Sequence, residues 1–340
     1  MLGGTGITVS HFCLGAMMFG QMGNPDHDEC VGMIHRALDE GINFVDTADV
    51  YSAGESEEIV GKALKGRRDD VVLATKFFAP MGEDRNTAGA SRRWIVREVE
   101  DSLRRLGTDH IDLYQQHRFD ANTPLEESMA ALTDLERAGK IRAFGSSTFP
   151  AERIVESHCV AESRGLLRYR TEQPPYSLFA RGIERAVLPA CQRYGMGVLV
   201  WSPLNGGWLS GKYRTTDDLT PDTRVVRHGS RWGRFDPEGE VNQRKLALVA
   251  ELEEVAEAAG ISLAHLAIAW SVEHPGVTSA IIGPRTPEQL DDLLAAADLR
   301  LEEDVLDRLD EILRPGVDLN PVDPSSAPAE LGRKHRRRPR

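Results

Sequence analysis

The feature that most constrains this chain is a serial alternation of short apolar runs with amphipathic helical segments. Eight such pairs follow one another, and the short runs are rich in β-branched and aliphatic residues. Strands that alternate with helices predict a parallel sheet, and eight is the number that closes such a sheet into a barrel. The predicted strands are residues 12–14, 42–46, 71–76, 111–117, 143–147, 169–172, 197–202 and 279–283.

The predicted helices carry recognisable start and stop signals. Thr123-Pro124 and Thr286-Pro287 each predict an N-cap followed by proline at the first helical position. Glycines mark the ends of several helices, as expected for residues that adopt the left-handed conformation: Gly41, Gly107, Gly139, Gly195 and Gly260. The predicted helices are residues 28–40, 55–64, 90–106, 124–138, 150–164, 182–194, 242–259 with 263–273, and 287–296.

The alternative fold is a doubly wound open sheet, which needs a glycine-rich phosphate loop after its first strand. Gly4-Thr5-Gly6 begins such a pattern, but Val9 replaces its third glycine and no strand precedes it. We therefore predict an α/β fold of the (β/α)8 TIM barrel type, as a single domain over residues 1–316. A long loop is predicted over residues 213–241, after the seventh strand.

Residues 317–340 are rich in Pro and Ser and then in Arg, which predicts a disordered tail. The last eleven residues hold six Arg or Lys. We favour a solvated end over a segment that binds an anionic partner.

Composition excludes several classes of function. The net charge of −12 argues against nucleic-acid binding, and the chain contains no apolar run of about 18 residues that would span a membrane. The four cysteines are far apart and form no C-x-x-C pair, and there is no H-E-x-x-H motif. We therefore expect no metal and a reducing, cytoplasmic location. Whether the chain forms a homo-oligomer is left open.

Ionisable side chains stand at the carboxyl ends of three consecutive predicted strands. Asp46 ends the second strand, Lys76 the third and His117 the fourth, while Tyr51 follows Asp46 by five residues. In a barrel these ends share the rim that carries the active site. Each residue alone has an ordinary interpretation: a turn cap for Asp46, a solvated or structural position for the others. Together they predict a catalytic group.

These four residue types suit proton donation to a carbonyl oxygen. A free tyrosine has a pKa near 10, and a neighbouring ammonium lowers that pKa by favouring the phenolate. A carboxylate beside the ammonium keeps it charged, and an imidazole can hydrogen bond the carbonyl oxygen. We therefore expect Lys76 to make the phenol of Tyr51 more acidic than a free tyrosine.

At these residues the sequence resembles the aldo-keto reductase family. The segment Asp46-Thr-Ala-Asp-Val-Tyr51-Ser-Ala-Gly54-Glu-Ser-Glu57 is similar to its main signature. Later signatures match in order, and the resemblance runs from about Gly3 to Leu313. Phe149, Leu178 and Arg181 have the context of the bacterial branch that also resembles potassium-channel β subunits.

The resemblance implies a barrel that binds NADP(H) across its rim and reduces a small-molecule carbonyl substrate. It implies a catalytic tetrad of Asp46, Tyr51, Lys76 and His117. The implied cofactor-binding residues are Ser147, Thr148 and Gln173 at the carboxamide, Trp201 on the nicotinamide ring, Ser202, Leu204, Gly206 and Lys212 at the pyrophosphate, and Gly283, Arg285 and Gln289 toward the adenosine 2′-phosphate. The segment from Gly206 to Lys212 is P-loop-like, but Tyr213 stands where a P-loop has Ser or Thr. We expect its backbone N–H groups to cradle phosphate without ATP chemistry.

Two residues depart from the family pattern. Thr148 stands where the family usually has Asn, and Thr cannot supply both an amide donor and an acceptor. Leu293 stands near the adenine side, where Asn is frequent. These departures predict an altered cofactor affinity or NADP/NAD preference and leave the tetrad untouched. The intact tetrad favours an NADPH-dependent enzyme over a regulatory subunit that senses NADP(H).

Overall fold

The computed structural model describes residues 1–220, 223, 226 and 239–321. Within them, eight parallel strands close into a barrel in chain order, with β1 paired to β8. The strands are β1 (Phe12–Gly15), β2 (Phe44–Asp46), β3 (Val72–Phe77), β4 (Ile111–Gln116), β5 (Ile141–Ser147), β6 (Thr171–Gln173), β7 (Gly197–Val200) and β8 (Ser279–Ile282). The predicted (β/α)8 barrel is confirmed.

Helices separate the strands, as expected when parallel neighbours need crossover connections. The α-helices of the described residues are α1 (His27–Asp39), α2 (Glu55–Leu64), α3 (Arg92–Leu106), α4 (Leu125–Arg137), α5 (Ala151–Arg164), α6 (Val187–Tyr194), α7 (Glu240–Ala258), α8 (Leu263–Glu273), α9 (Pro287–Leu294) and α10 (Glu303–Ile312). Helix α10 was not predicted. The glycines expected at helix ends all have positive φ, between +62° and +90°.

One predicted N-cap is confirmed and the other is wrong. The hydroxyl of Thr286 accepts a hydrogen bond from the backbone N–H of Gln289, and Pro287 opens α9. At the start of α4, Pro124 itself takes the cap position without a side-chain cap. The hydroxyl of Thr123 instead donates to Oδ2 of Asp120, at 2.8 Å. The hydroxyl of Thr123 is therefore bonded to Asp120 and does not cap α4.

The described residues fall into two compact units. The first comprises Met1–Pro174, Arg185–Trp201 and Ser271–Arg300, and it contains the whole barrel with α1–α6 and α9. The second comprises Pro175–Glu184, Ser202–Trp270 and the chain from Leu301 onward, with α7, α10 and most of α8.

The predicted boundary at residue 316 stays a prediction. Within the second unit, the carboxylate of Asp318 accepts from the backbone N–H of Gly182 at 2.7 Å, and Leu319 N–H donates to the carbonyl of Phe179. The predicted tail from residue 322 onward and most of the predicted loop 213–241 lie outside the described residues. Helix α7 begins inside that predicted loop, at Glu240.

The interior of the barrel has an apolar layer of side chains and, next to it toward the carboxyl ends of the strands, a polar layer. Because side chains alternate along a strand, every second residue points into the barrel. Phe44, Ala74 and Leu113 therefore face inward in one layer, and Asp46, Lys76 and Gln115 face inward in the next. The fully buried apolar layer consists of Leu2, Cys13, Phe44, Ala74, Leu113, Ala143 and Leu199.

Among the described residues, no single helix has the length and apolar composition to cross a membrane; only the bent pair α7 and α8 meets those two criteria together.

Candidate active site

Lys76 occupies the centre of the polar layer. It is fully buried, and its ammonium forms an ion pair with the carboxylate of Asp46. Its Nζ atom also donates to the carbonyl oxygen of Thr47 at 2.8 Å and to the phenol oxygen of Tyr51 at 3.5 Å. The structure thus brings three of the four predicted catalytic residues together around one ammonium group.

Two glutamines complete the surroundings of Asp46. Nε2 of Gln115 and Nε2 of Gln173 both donate to its Oδ1 atom, at 3.0 and 2.9 Å. Nε2 of Gln173 also donates to Oε1 of Gln115 at 3.2 Å. A buried carboxylate is tolerated when all its acceptor positions are used. The glutamines therefore satisfy Oδ1 of Asp46, while Lys76 pairs with Oδ2.

Gln115 was not predicted, although the sequence carries a signal for it. It lies two residues before His117 on β4, so the period of a strand places both side chains on the barrel interior. Counting inward from the predicted catalytic histidine would have found it.

His117 lies beside the phenol, as predicted. Its backbone N–H donates to the carbonyl of Phe77 at 2.9 Å and continues the β3–β4 ladder beyond the strand. The rings of His117 and Tyr51 meet edge to face, with centroids 5.9 Å apart. All four predicted catalytic side chains thus share one end of the barrel.

The loop that carries Tyr51 is attached to the barrel on both sides. Before Tyr51, the N–H groups of Thr47 and Asp49 donate to the carbonyls of Ala74 and Lys76, so the chain keeps pairing with β3 after β2 ends. After Tyr51, Glu57 on α2 accepts from the hydroxyl of Thr75 on β3 at 2.5 Å. These bonds place the phenol above Lys76.

The turn directly after Tyr51 has an unusual backbone. Ser52 and Ala53 have φ of +50° and +56°, a region that L-residues other than Gly rarely adopt. The Ser52 hydroxyl donates to the carbonyl of Phe19 and accepts from the N–H of Met22, both at 3.0 Å. Strained residues persist only where their surroundings hold them, and they cluster at functional sites. The turn therefore fixes the direction from which Tyr51 enters the site.

The expected acidification of Tyr51 is wrong in its net direction. Tyr51 is half-buried, and its enclosure raises the pKa of the phenol above its ordinary value. The charge of Lys76 lowers that pKa, as predicted, but the effect of burial is larger. The phenol therefore holds its proton throughout the neutral range, and Lys76 stabilises the phenolate formed when the proton leaves.

Lys76 is charged at neutral pH, whereas His117 is neutral. Burial alone lowers the pKa of Lys76, but attraction to Asp46 and then to Tyr51 outweighs it, and the net direction is upward. Burial, followed by repulsion from Lys76 and Arg118, lowers the pKa of His117 well below its usual range. The site thus combines a permanent ammonium with a neutral imidazole, which has one N–H donor.

The predicted carboxamide residues meet at the ends of β5 and β6. The hydroxyl of Ser147 donates to the carbonyl of Gln173 at 2.9 Å, and the N–H of Thr148 donates to the same oxygen at 3.1 Å. Thr148 has φ of +57°. This backbone conformation suits Asn better than a β-branched residue.

Arg118 is a second residue that sequence analysis missed. Its Nη1 atom donates to the carbonyl of His117 at 2.6 Å and to the hydroxyl of Thr148 at 3.3 Å. It therefore connects the catalytic histidine with the predicted carboxamide segment. Its position directly after His117 was the available signal.

The remaining predicted residues of the first unit lie near β7, β8 and α9. Trp201 is half-buried, and its backbone N–H donates to the carbonyl of Pro174 at 3.0 Å. The backbone of Arg285 is held by Oε1 of Gln289 at 2.9 Å and by Nδ2 of Asn24 at 3.0 Å. Gly283 and the side chain of Arg285 are exposed. A fixed backbone with an exposed guanidinium suits recognition of an anion.

The predicted pyrophosphate segment lies in the second unit as a tight turn. Ser202, Asn205, Gly206, Gly207 and Gly211 all have positive φ. The hydroxyl of Ser202 accepts from the N–H of Gly206 at 2.9 Å, and the N–H groups of Gly207 and Leu209 donate to the carbonyl of Leu204. The N–H of Asn205 donates to the carbonyl of Ser202 at 2.8 Å, so four N–H groups are already used inside the turn. The predicted phosphate cradle stays a prediction and requires other donors, such as the exposed Lys212.

Among the described residues, no group of three or more His, Cys, Asp or Glu side chains is arranged to hold a metal ion.

Comparison with known proteins agrees with this geometry. The family model described as "Aldo/keto reductase family" matches residues 11–314. The "Uncharacterized oxidoreductase YrpG" of Bacillus subtilis is 38% identical over 322 residues, which cover 92% of this chain and 94% of that protein. The "Aldo-keto reductase YhdN" of the same species is 39% identical over 296 residues, or 85% of each chain.

A third relative is named as a channel subunit and not as an enzyme. The "Putative voltage-gated potassium channel subunit beta" of Schizosaccharomyces pombe is 36% identical over 322 residues, which cover 92% of each chain. Both the family model and these relatives span nearly the whole chain. The chain therefore belongs to the aldo/keto reductase family.

Proposed function

We propose that this protein is an NADPH-dependent reductase of aldehydes or ketones, acting reversibly, with Tyr51 as the general acid. The observation that carries the proposal is the fully buried ammonium of Lys76, bonded to the carboxylate of Asp46 and lying 3.5 Å from the phenol oxygen of Tyr51. Family membership and the oxidoreductase relatives support the reaction class.

The side chains present suit the protonation half of a carbonyl reduction. Tyr51 donates its phenol proton to the carbonyl oxygen as that oxygen gains negative charge. The phenolate left behind is stabilised by the ammonium of Lys76, which Asp46 keeps charged and in place. The neutral imidazole of His117 donates its single N–H to the same carbonyl oxygen and aligns it. Solvent later returns a proton to Tyr51.

The residues present also fit a nicotinamide cofactor. The end of β6 presents the amide of Gln173, and Trp201 offers a half-buried aromatic face. Arg285 offers an exposed guanidinium suited to the 2′-phosphate that distinguishes NADP from NAD. Bound NADPH would supply the hydride for the carbonyl carbon. Ser202, Leu204, Gly206 and Lys212 stay predicted pyrophosphate residues.

We also propose a cytoplasmic location. All four cysteines are free, which is typical of proteins in reducing compartments.

A regulatory role is the second candidate, because several relatives carry the name of a channel β subunit. In that role the protein would bind NADP(H) with little turnover. The two functions differ in a steady-state assay of NADPH oxidation against a panel of aliphatic and aromatic aldehydes. We expect turnover with at least one aldehyde. Tight NADPH binding without turnover on any carbonyl would support the regulatory role instead.

A further inference from the structure

Glu172 is a buried carboxyl group that the proposed reaction does not use. It is fully buried on β6, directly before Gln173. Because neighbouring side chains on a strand point to opposite faces, Gln173 faces the barrel interior and Glu172 faces away from it. Glu172 thus lies behind the wall of the active site.

The carboxyl group of Glu172 is bonded to the segment of residues 147–149. Its Oε1 atom accepts a hydrogen bond from the backbone N–H of Phe149 at 3.0 Å, and its Oε2 atom accepts from the hydroxyl of Ser146. The backbone N–H of Thr148, which donates to the carbonyl of Gln173, also lowers the pKa of this carboxyl group. Bonds therefore reach Glu172 from both sides of the predicted carboxamide residues.

The segment needs such support because Thr148 is strained. A β-branched residue is disfavoured at a φ of +57°, so this conformation persists only if neighbouring bonds hold it. Apart from Glu172, Thr148 is contacted by the carbonyl of Gln173, the guanidinium of Arg118 and the hydroxyl of Ser147. A charged acceptor at Glu172 makes a stronger hydrogen bond to the Phe149 N–H than a neutral one.

The surroundings of Glu172 place the change in its charge near neutral pH. Burial raises the pKa of Glu172 to about 7, against the opposing effects of Ser146, the two backbone N–H groups and the charge of Arg118. The other titratable groups facing Glu172 are Tyr169 and Cys191. Burial raises the pKa of both, and Glu172 raises each further, so both are neutral. Arg118 stays charged, so the group that changes charge is Glu172 itself.

We propose that Glu172 is a positioning residue whose carboxylate holds residues 147–149 in the conformation that grips the cofactor, and that its protonation weakens this grip. The inference rests on the proposed binding of NADP(H). When only a fraction of the protein molecules is in the conformation that binds the ligand, the apparent affinity falls in proportion to that fraction. NADPH affinity should therefore fall as the pH drops through neutrality, beyond any effect of the titration of NADPH itself.

The test uses Glu172→Gln, which keeps the shape of the side chain and removes its charge. The dissociation constant of NADPH is measured for both proteins between pH 5.5 and 8.5 by quenching of tryptophan fluorescence. We expect the variant to bind about fivefold more weakly at pH 8.5, since a charged acceptor forms the stronger bond. At pH 5.5 the two proteins should bind equally. The ratio of the dissociation constants of the variant and the wild-type protein at each pH cancels any effect of the protonation of NADPH itself.

Two controls separate this effect from a general loss of structure. Adenosine 2′,5′-bisphosphate lacks the nicotinamide, and its affinity should be the same for both proteins at each pH. Glu136→Gln, on α4, removes a half-buried carboxyl group whose pKa is likewise raised by partial burial, away from this segment. It should leave the pH dependence of NADPH binding unchanged.

A second variant tests the strain argument independently of the charge. Thr148→Gly removes the side chain for which a φ of +57° is unfavourable, so the segment should no longer need the carboxylate. We expect the excess pH dependence to disappear. A constant affinity ratio across the pH range for Glu172→Gln, or full pH dependence in Thr148→Gly, would overturn the inference while leaving the proposed function intact. Failure of the wild-type protein to bind NADPH at any pH would overturn both.

Discussion

The Nζ atom of Lys76 lies 3.5 Å from the phenol oxygen of Tyr51 and forms an ion pair with Asp46 on its other side. One ammonium group thus contacts both the proposed acid and the carboxylate that keeps the ammonium charged. Since Lys76 is fully buried, its charge is little screened by solvent. This arrangement makes Lys76 important for stability as well as for the reaction.

Replacing Lys76 with Met should destabilise the protein and abolish carbonyl reduction. Removal of one partner leaves the charge of Asp46 buried and unpaired, which typically costs about 3–5 kcal/mol of unfolding free energy. The double variant Lys76→Met/Asp46→Asn should recover most of that stability without recovering turnover. Urea unfolding and NADPH oxidation are measured for both variants. Unchanged stability in the single variant would contradict the buried ion pair.

Replacing Thr148 with Asn should stabilise the protein. Asn adopts the left-handed conformation much more readily than Thr, and relief of the strain should add about 1 kcal/mol to the free energy of unfolding. Thr148→Val is the matched control, because it keeps the β-branched shape and loses only the hydroxyl. If urea unfolding finds Asn no more stabilising than Val, Thr148 is not strained as described.

Replacing Arg285 with Ala should weaken NADPH binding far more than NADH binding. Loss of a charge-assisted bond to the 2′-phosphate should raise the dissociation constant of NADPH roughly ten- to a hundredfold. NADH lacks that phosphate, so its affinity should change little. Arg300→Ala, at another exposed arginine of the same unit, serves as the control. Equal losses of affinity for NADPH and NADH would show that Arg285 does not recognise the 2′-phosphate.

The fold could be predicted because its signals are local and repeated. Most strands carry an apolar run, although β6 (Thr-Glu-Gln) does not, and each predicted glycine at a helix end has the φ that its position requires. Helix α10 was missed although Val305, Leu309 and Ile312 recur with a helical period; it lies after the last of the eight predicted strand–helix pairs. The cap at Thr123 was wrong because Asp120 competes for its hydroxyl, and sequence spacing cannot rank the two bonds.

The grouping of the four catalytic residues could be predicted, but their electrostatics could not. Strand ends share a rim in any parallel barrel, so Asp46, Lys76 and His117 had to lie near one another. The pKa of Tyr51 depends on a balance between burial and the charge of Lys76, and that balance requires three-dimensional positions. The same applies to Glu172, whose contacts join β6 to the end of β5 and to the residues that follow it.

The most direct test of the account is the rate of the chemical step in Tyr51→Phe. This variant keeps the aromatic ring and removes only the proton that the account assigns to the carbonyl oxygen. In single-turnover oxidation of bound NADPH by an aldehyde that the wild-type protein reduces, we expect a loss of at least about a hundredfold, typical of a general acid. NADPH affinity should stay within about twofold of the wild-type value. A variant that binds NADPH and reduces the aldehyde at nearly the wild-type rate would contradict Tyr51 as the proton donor.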